Sequence, residues 1–113
     1  MTTPNQIPSI EAADLTTMPD AILLDVREPN EWVAGHAPQA VHIPLGDLDR
    51  RAGELPADRP VVCICRSGAR SLRAAALLVE NGFDVHNLKG GMRAWSVAEL
   101  AVVTPEGTTG DVI

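Results

Sequence analysis

The sequence predicts an α/β domain with a mainly parallel central sheet of about five strands and helices on both faces. Three observations lead there. Short apolar runs alternate along the chain with segments of helical period. Two of the runs, residues 21–26 and 61–65, are almost continuously apolar, as expected of strands buried on both faces. The chain has 113 residues, enough for one such core and not for two.

Taken in order, residues 7–10 read as a short edge strand and residues 11–18 as a short helix carrying Ala12, Ala13 and Leu15. Residues 21–26 form the first buried strand. Pro29 suits the first position of a brief helix through Ala34, and Gly35 ends it. Residues 40–43 are a third strand, closed by Pro44. Residues 45–55 read as a polar amphipathic helix with Leu45, Leu48 and Leu55 as its apolar face. Residues 61–65 are the central strand. The helix after it, 69–81, has an apolar stripe of Leu72, Ala75, Ala76 and Val79. Gly82 stops it in the left-handed conformation, with Phe83 packing back on Leu78. Residues 84–88 give a fifth strand, and Gly90-Gly91 turns the chain into a last helix through Leu100. The expected division is an N-terminal segment, 1–9, a single domain, 10–101, and an aperiodic C-terminal tail, 102–113, expected to be mobile.

Composition excludes several function classes. Net charge is −6, which argues against nucleic acid or an anionic membrane surface as a partner. No apolar stretch approaches the ~18–20 residues of a membrane span. Residues 1–6 have neither a positive charge nor an apolar run, so no secretory signal is expected. Two cysteines spaced C-x-C make no disulfide framework and read as reduced thiols in the cytoplasm. No metal is expected, because Cys63 and Cys65 lack a second pair of ligands and His36, His42 and His86 are scattered.

The charge distribution is more telling than its sum. Residues 61–96 hold five basic side chains (Arg66, Arg70, Arg73, Lys89, Arg93) and two acidic ones (Glu80, Asp84). The rest of the chain holds four basic and thirteen acidic residues. This locally basic region contains the segment Cys65-Arg66-Ser67-Gly68-Ala69-Arg70-Ser71, in which a strand ends in a cysteine and a Gly-bearing loop opens a helix. Such a loop offers unpaired backbone N–H groups and a helix dipole to an anion. The same field favours the thiolate of Cys65, its nucleophilic form. In parallel sheets ligands bind beyond the carboxyl ends of the strands, where Cys65 lies. A small anionic substrate is the expected partner.

Five pieces in order then resemble the rhodanese family of sulfurtransferases: Leu23-Leu24-Asp25-Val26-Arg27-Glu28; Glu31-Trp32; Gly35-His36-Ala37-Pro38-Gln39-Ala40-Val41-His42-Ile43-Pro44; the Cys65 loop; and Gly90-Gly91-Met92-Arg93-Ala94-Trp95. The resemblance implies a persulfide on Cys65, loaded from a donor such as thiosulfate. Cyanide, a thiol or a partner protein would accept the sulfur, and no cofactor is needed. It implies that Arg66, Ser67, Gly68, Ala69 and Arg70 bind substrate, with Arg66 and Arg70 either orienting the donor's oxyanion or bracing the loop. Asp25, Arg27, Ser71 and Trp95 would support the site. Asp25 and Arg27 are expected to tie loops together by ion pairing, and His36 to serve as a scaffold hydrogen-bonding group. Cys63 reads as a buried hydrophobe rather than a resolving thiol. Related phosphatases and arsenate reductases use a Cys-x5-Arg loop. Here the spacing is Cys65-x4-Arg70, which suits a single sulfur better than a phosphate. Two rival readings accompany sulfur transfer from thiosulfate: a persulfide-carrying interaction module with little thiosulfate activity, and a non-catalytic regulatory domain. The intact cysteine and Arg-bearing loop argue against the second.

Overall fold

Five strands make one parallel sheet in a computed structural model that describes residues 6–113. They are β1 (Ser9–Ile10), β2 (Ile22–Asp25), β3 (Val41–His42), β4 (Val61–Ile64) and β5 (Val85–Leu88), in the spatial order β1-β5-β4-β2-β3. Residues 1–5, most of the segment read for an export signal, lie outside the described residues. The two continuous apolar runs supply the middle of the sheet: every residue of β2 and β4 is buried. Their register pairs Leu24 with Cys63 and Asp25 with Ile64, so the two strands end together.

Side chains alternate across the sheet and build two cores. On one face Leu24, Val61, Cys63, Cys65 and Val85 pack with Leu48, Ala52, Leu55, Ala74, Ala75 and Leu78. These come from helix α2 (Leu45–Arg51), the 3-10 turn that continues it (Ala52–Glu54), and α3 (Ala69–Glu80). On the other face Leu23, Val62, Ile64 and Leu88 pack with Ala12, Met92 and Trp95. That layer comes from a 3-10 segment, Ala12–Thr17, and from α4 (Gly91–Val97). Cys63 and Cys65 thus share a face, and Trp95 lies on the opposite one.

Some elements differ from expectation. The short helix expected over residues 11–18 covers 12–17 and is of the 3-10 type. The third strand keeps only Val41–His42, because Pro44 removes a ladder donor and caps α2. α3 buries Ser71, Ala74, Ala75 and Leu78, a face turned by about one residue from the stripe through Leu72 and Val79. The turn brings Ser71 inward to the sulfur of Cys65.

α1 (Pro29–Ala34) has a capping box in which the Glu31 carboxylate accepts the Glu28 N–H at 3.0 Å. Beyond α4, the aperiodic segment expected to be mobile is laid down on the domain. Val103 and His36 exchange backbone hydrogen bonds at 2.9 Å each, and Asp111 N–H donates to Ala34 O at 2.8 Å. Val102 and Val112 pack on the core that holds Trp95. Gly35 permits this approach: a Cβ there would stand 2.5 Å from the Asp111 carbonyl oxygen. Among the described residues no helix is long and apolar enough to cross a membrane.

Candidate active site

The site forms where β4 ends and α3 begins. Cys65 is the residue after β4, and the chain then turns through Arg66, Ser67 and Gly68 into the helix. Gly68 caps α3 with φ of 115°, a left-handed conformation that an L side chain adopts only with strain. That conformation aims its N–H at the cysteine, and it donates to Sγ at 3.0 Å. Ser71, one helical turn on, lies against the same sulfur, with Oγ at 3.3 Å.

Cys65 is 1% exposed. Burial alone pushes the Cys65 thiol up. The Ser71 hydroxyl and the N–H groups of Ser71, Gly68 and Ser67 together outweigh it, so the thiol lies below its ordinary value. Cys63 is the internal control. It is equally buried on the same face, burial pushes its thiol well up, and the neighbouring Cys65 adds to the rise. Two cysteines two residues apart therefore differ because only one sits at the open end of a helix.

α4 holds the loop from behind. Met92 N–H donates to Cys65 O at 2.7 Å and Arg93 N–H to Arg66 O at 3.0 Å. The loop carbonyls are spent on α4, which leaves donors to face the sulfur. Gly91 allows the contact, since a Cβ there would overlap the backbone of Cys65 and Arg66.

The two loop arginines do different things. Arg70 grips the Glu31 carboxylate with both ends of its guanidinium, at 2.6 and 2.8 Å. This holds Glu31 below the usual carboxylate range against the opposing effect of burial, and raises Arg70. The capping residue of α1 is therefore also the anchor of the loop. Arg66 is exposed and, among the described residues, its side chain has no hydrogen-bond or ion-pair partner. With Arg93, Ser96, Val97 and Val112 it lines a pocket of about 310 Å3 beside the loop. Ala69, the first residue of α3, makes no hydrogen bond to the sulfur.

Asp25 and Arg27 form a fully buried pair at the end of β2, with Nη2 to Oδ2 at 2.7 Å and Nε to Oδ1 at 2.9 Å. Arg27 Nη2 also donates to Gly35 O at 2.8 Å, tying the strand end to the end of α1. Arg27 Nη1 is buried without a protein partner. His36 stacks on Trp32 with ring centroids 3.5 Å apart, and its Nδ1 lies 2.8 Å from Trp32 O. His42 stacks on the same indole at 4.7 Å. Neither histidine bonds to the sulfur. Trp95 does not reach it either: its indole N–H donates to Ala101 O at 2.9 Å in the opposite core.

Sequence reasoning missed two residues. Glu31 carries no local sign of its role beyond its place in the Glu31-Trp32 piece, and its partner lies 39 positions away. Asn87 lies inside the run expected as the fifth strand. It is 4% exposed, and the Ser71 hydroxyl donates to its Oδ1. A polar residue inside an otherwise apolar strand was the available sign.

A family model described as "Rhodanese-like domain" matches residues 10–98. A protein named "Sulfurtransferase" from Allochromatium vinosum is 45% identical over 89 residues, 78% of this chain and 83% of that protein. "Thiosulfate sulfurtransferase GlpE" from Pseudoalteromonas translucida is 34% identical over 78% of this chain and 85% of its own length. Among solved structures, a rhodanese-related protein from Thermoplasma volcanium superposes with a TM-score of 0.80 at 33% identity, covering 85% of this chain and 97% of the other. The sheet order, the cysteine loop and these matches agree, and the chain belongs to the rhodanese-like domain family.

Proposed function

We propose that the chain is a sulfurtransferase that moves a sulfane sulfur from a donor such as thiosulfate to a thiophilic acceptor, through a persulfide on Cys65. The observation that carries this reading is the Cys65 sulfur itself, buried yet stabilised as an anion by the N-terminal end of α3. In the first step the thiolate attacks the outer sulfur of thiosulfate. An S–S bond forms on Cys65, the donor's S–S bond breaks, and sulfite leaves with the bonding pair. In the second step cyanide or a thiolate attacks the outer sulfur, and the pair returns to Cys65 as thiolate. The two steps balance without an external oxidant and predict ping-pong kinetics.

The amides of Ser67, Gly68 and Ser71 support both steps by stabilising the negative sulfur they begin and end with. Arg66, unpaired and beside a pocket that also carries Arg93, supports a small anionic donor. Arg70 serves as a brace. With one loop guanidinium committed to Glu31, a second reading gains weight: a persulfide carrier that receives its sulfur from a protein or small persulfide and uses thiosulfate poorly. Both readings need reduced thiols, and both cysteines are free, which fits a reducing compartment such as the cytoplasm.

Intact mass after incubation with thiosulfate tests the assignment. The protein gains one sulfur atom and loses it to cyanide or dithiothreitol. Cys63→Ser still loads and Cys65→Ser does not. Loading that survives in Cys65→Ser removes Cys65 from the mechanism. Loading only from a persulfide donor decides for the carrier reading.

A further inference from the structure

The Ser71 hydroxyl has one proton and more acceptors than it can serve. Its Oγ lies within hydrogen-bond distance of Asn87 Oδ1, of Gly68 O at 3.0 Å, and of Cys65 Sγ at 3.3 Å. A carbonyl oxygen can only accept. With Oδ1 facing Ser71, the proton goes to Asn87, and Ser71 presents a lone pair to the sulfur. That arrangement suits a thiol, whose S–H donates to Oγ. It opposes a thiolate, which would meet a lone pair where it needs a donor.

Turning the Asn87 amide by 180° reverses the chain. Nδ2 then donates to Ser71 Oγ, and the Ser71 proton is free to donate to sulfur. The turn is inexpensive here. Among the described residues Asn87 has no side-chain hydrogen bond other than the one to Ser71, so no other protein bond breaks. β5 pairs Asn87 beside Cys63 of β4, so its position next to the loop is fixed by the sheet.

We propose that Asn87 is a positioning residue for Cys65: its amide faces Ser71 with Oδ1 when the sulfur is a thiol and with Nδ2 when the sulfur is a thiolate, turning the one Ser71 proton toward the sulfur only in the charged state. It acts through Ser71 and touches no substrate. The inference takes from the functional reading only that Cys65 is the working thiol. The ionisable groups around the sulfur are Arg70 of α3 with its partner Glu31 of α1, Arg66 of the loop, and Cys63 of β4. Of these, Cys63 is serine in every protein compared, and the others are unaltered in the variants below.

The test is the pH profile of Cys65 alkylation by iodoacetamide, measured in the Cys63→Ser background for wild type, Ser71→Ala, Asn87→Leu and the double variant. Wild type has a midpoint below the ~8.5 of a free thiol. Ser71→Ala slows alkylation below that midpoint about tenfold, the scale of one lost hydrogen bond to a charged group. Asn87→Leu slows it about threefold, and does nothing further once Ser71 is alanine. An equal slowing by Asn87→Leu in both backgrounds overturns the relay, as does no slowing at all. A second measurement needs no Asn87 variant. The Asn87 side-chain amide resonance in labelled protein shifts as pH crosses the Cys65 midpoint and stays still in Ser71→Ala. A resonance that ignores the midpoint in wild type refutes the proposal. Neither readout involves sulfur transfer, so a failure to load sulfur would fall on the functional reading alone.

Discussion

Replacing Arg70 separates a brace from a substrate clamp. The guanidinium makes two charge-assisted hydrogen bonds to Glu31, whose side chain is 11% exposed, while that of Arg70 is 31% exposed. Breaking a fully buried pair costs about 3–5 kcal/mol, and an exposed pair is worth less than about 1 kcal/mol. This pair lies between, so Arg70→Ala should cost about 2 kcal/mol. At about 4 °C per kcal/mol for a chain of this size, the melting temperature falls by about 8 °C. The effect has a pH signature. Arg70 holds the Glu31 carboxyl below its ordinary value, so the brace contributes fully above the unfolded carboxyl pKa of ~4.3. That contribution is lost as pH falls through the lower, folded value. The gap in melting temperature between wild type and Arg70→Ala therefore closes in acid. Arg70→Lys keeps the charge but not the fork, and recovers part of the loss. Turnover with thiosulfate and with an uncharged persulfide donor should fall in proportion, since the loop serves both. An unchanged melting temperature with a loss confined to thiosulfate would refute the brace.

Two further outcomes follow from the geometry. Arg66→Ala should raise KM for thiosulfate about tenfold, about 1.4 kcal/mol, with no change in melting temperature and little effect on an uncharged donor. Added salt should weaken wild-type thiosulfate use and leave the variant nearly flat, as steady-state assays across ionic strength would show. Truncation after Ala101 should lower the melting temperature by removing the backbone pairing to His36 and Ala34 and the packing of Val102 and Val112. Gly35→Ala should reproduce most of that loss, because its Cβ collides with Asp111. The two changes combined should be far from additive, and full additivity in thermal melts would mean that Gly35 acts elsewhere.

The buried centre of the fold is plain in the amino acids because burial on both faces leaves a mark no other environment leaves. Residues 22–25 and 61–64 are apolar without alternation, apart from Asp25. Cys65 could be placed because the end of such a strand, a Gly-bearing loop and a helix start follow one another. What escaped notice is carried by partners far apart in the chain. Glu31 looks like any first-turn helix acid, and nothing local says that it will meet Arg70. Asn87 acquires a role only when the sheet order sets β5 beside β4. The C-terminal segment has no period because it forms isolated bridges and single contacts, which periodicity cannot register. Trp95 follows the Gly-Gly turn near the carboxyl end of β5, which groups it with the residues supporting the site, but α4 packs it into the core on the opposite face.

The grip of α4 on the cysteine loop also bears on when the thiol becomes reactive during synthesis. The loop leaves the ribosome well before Gly91, Met92 and Arg93, whose backbone fixes the carbonyls of Cys65 and Arg66. Until then those carbonyls are free to turn toward the sulfur and oppose its charge. A chain that ends before α4 should therefore hold Cys65 closer to an ordinary thiol, and its slower alkylation would show this. The helix that completes the core late in synthesis is thus also the one that keeps the loop carbonyls turned away from the sulfur.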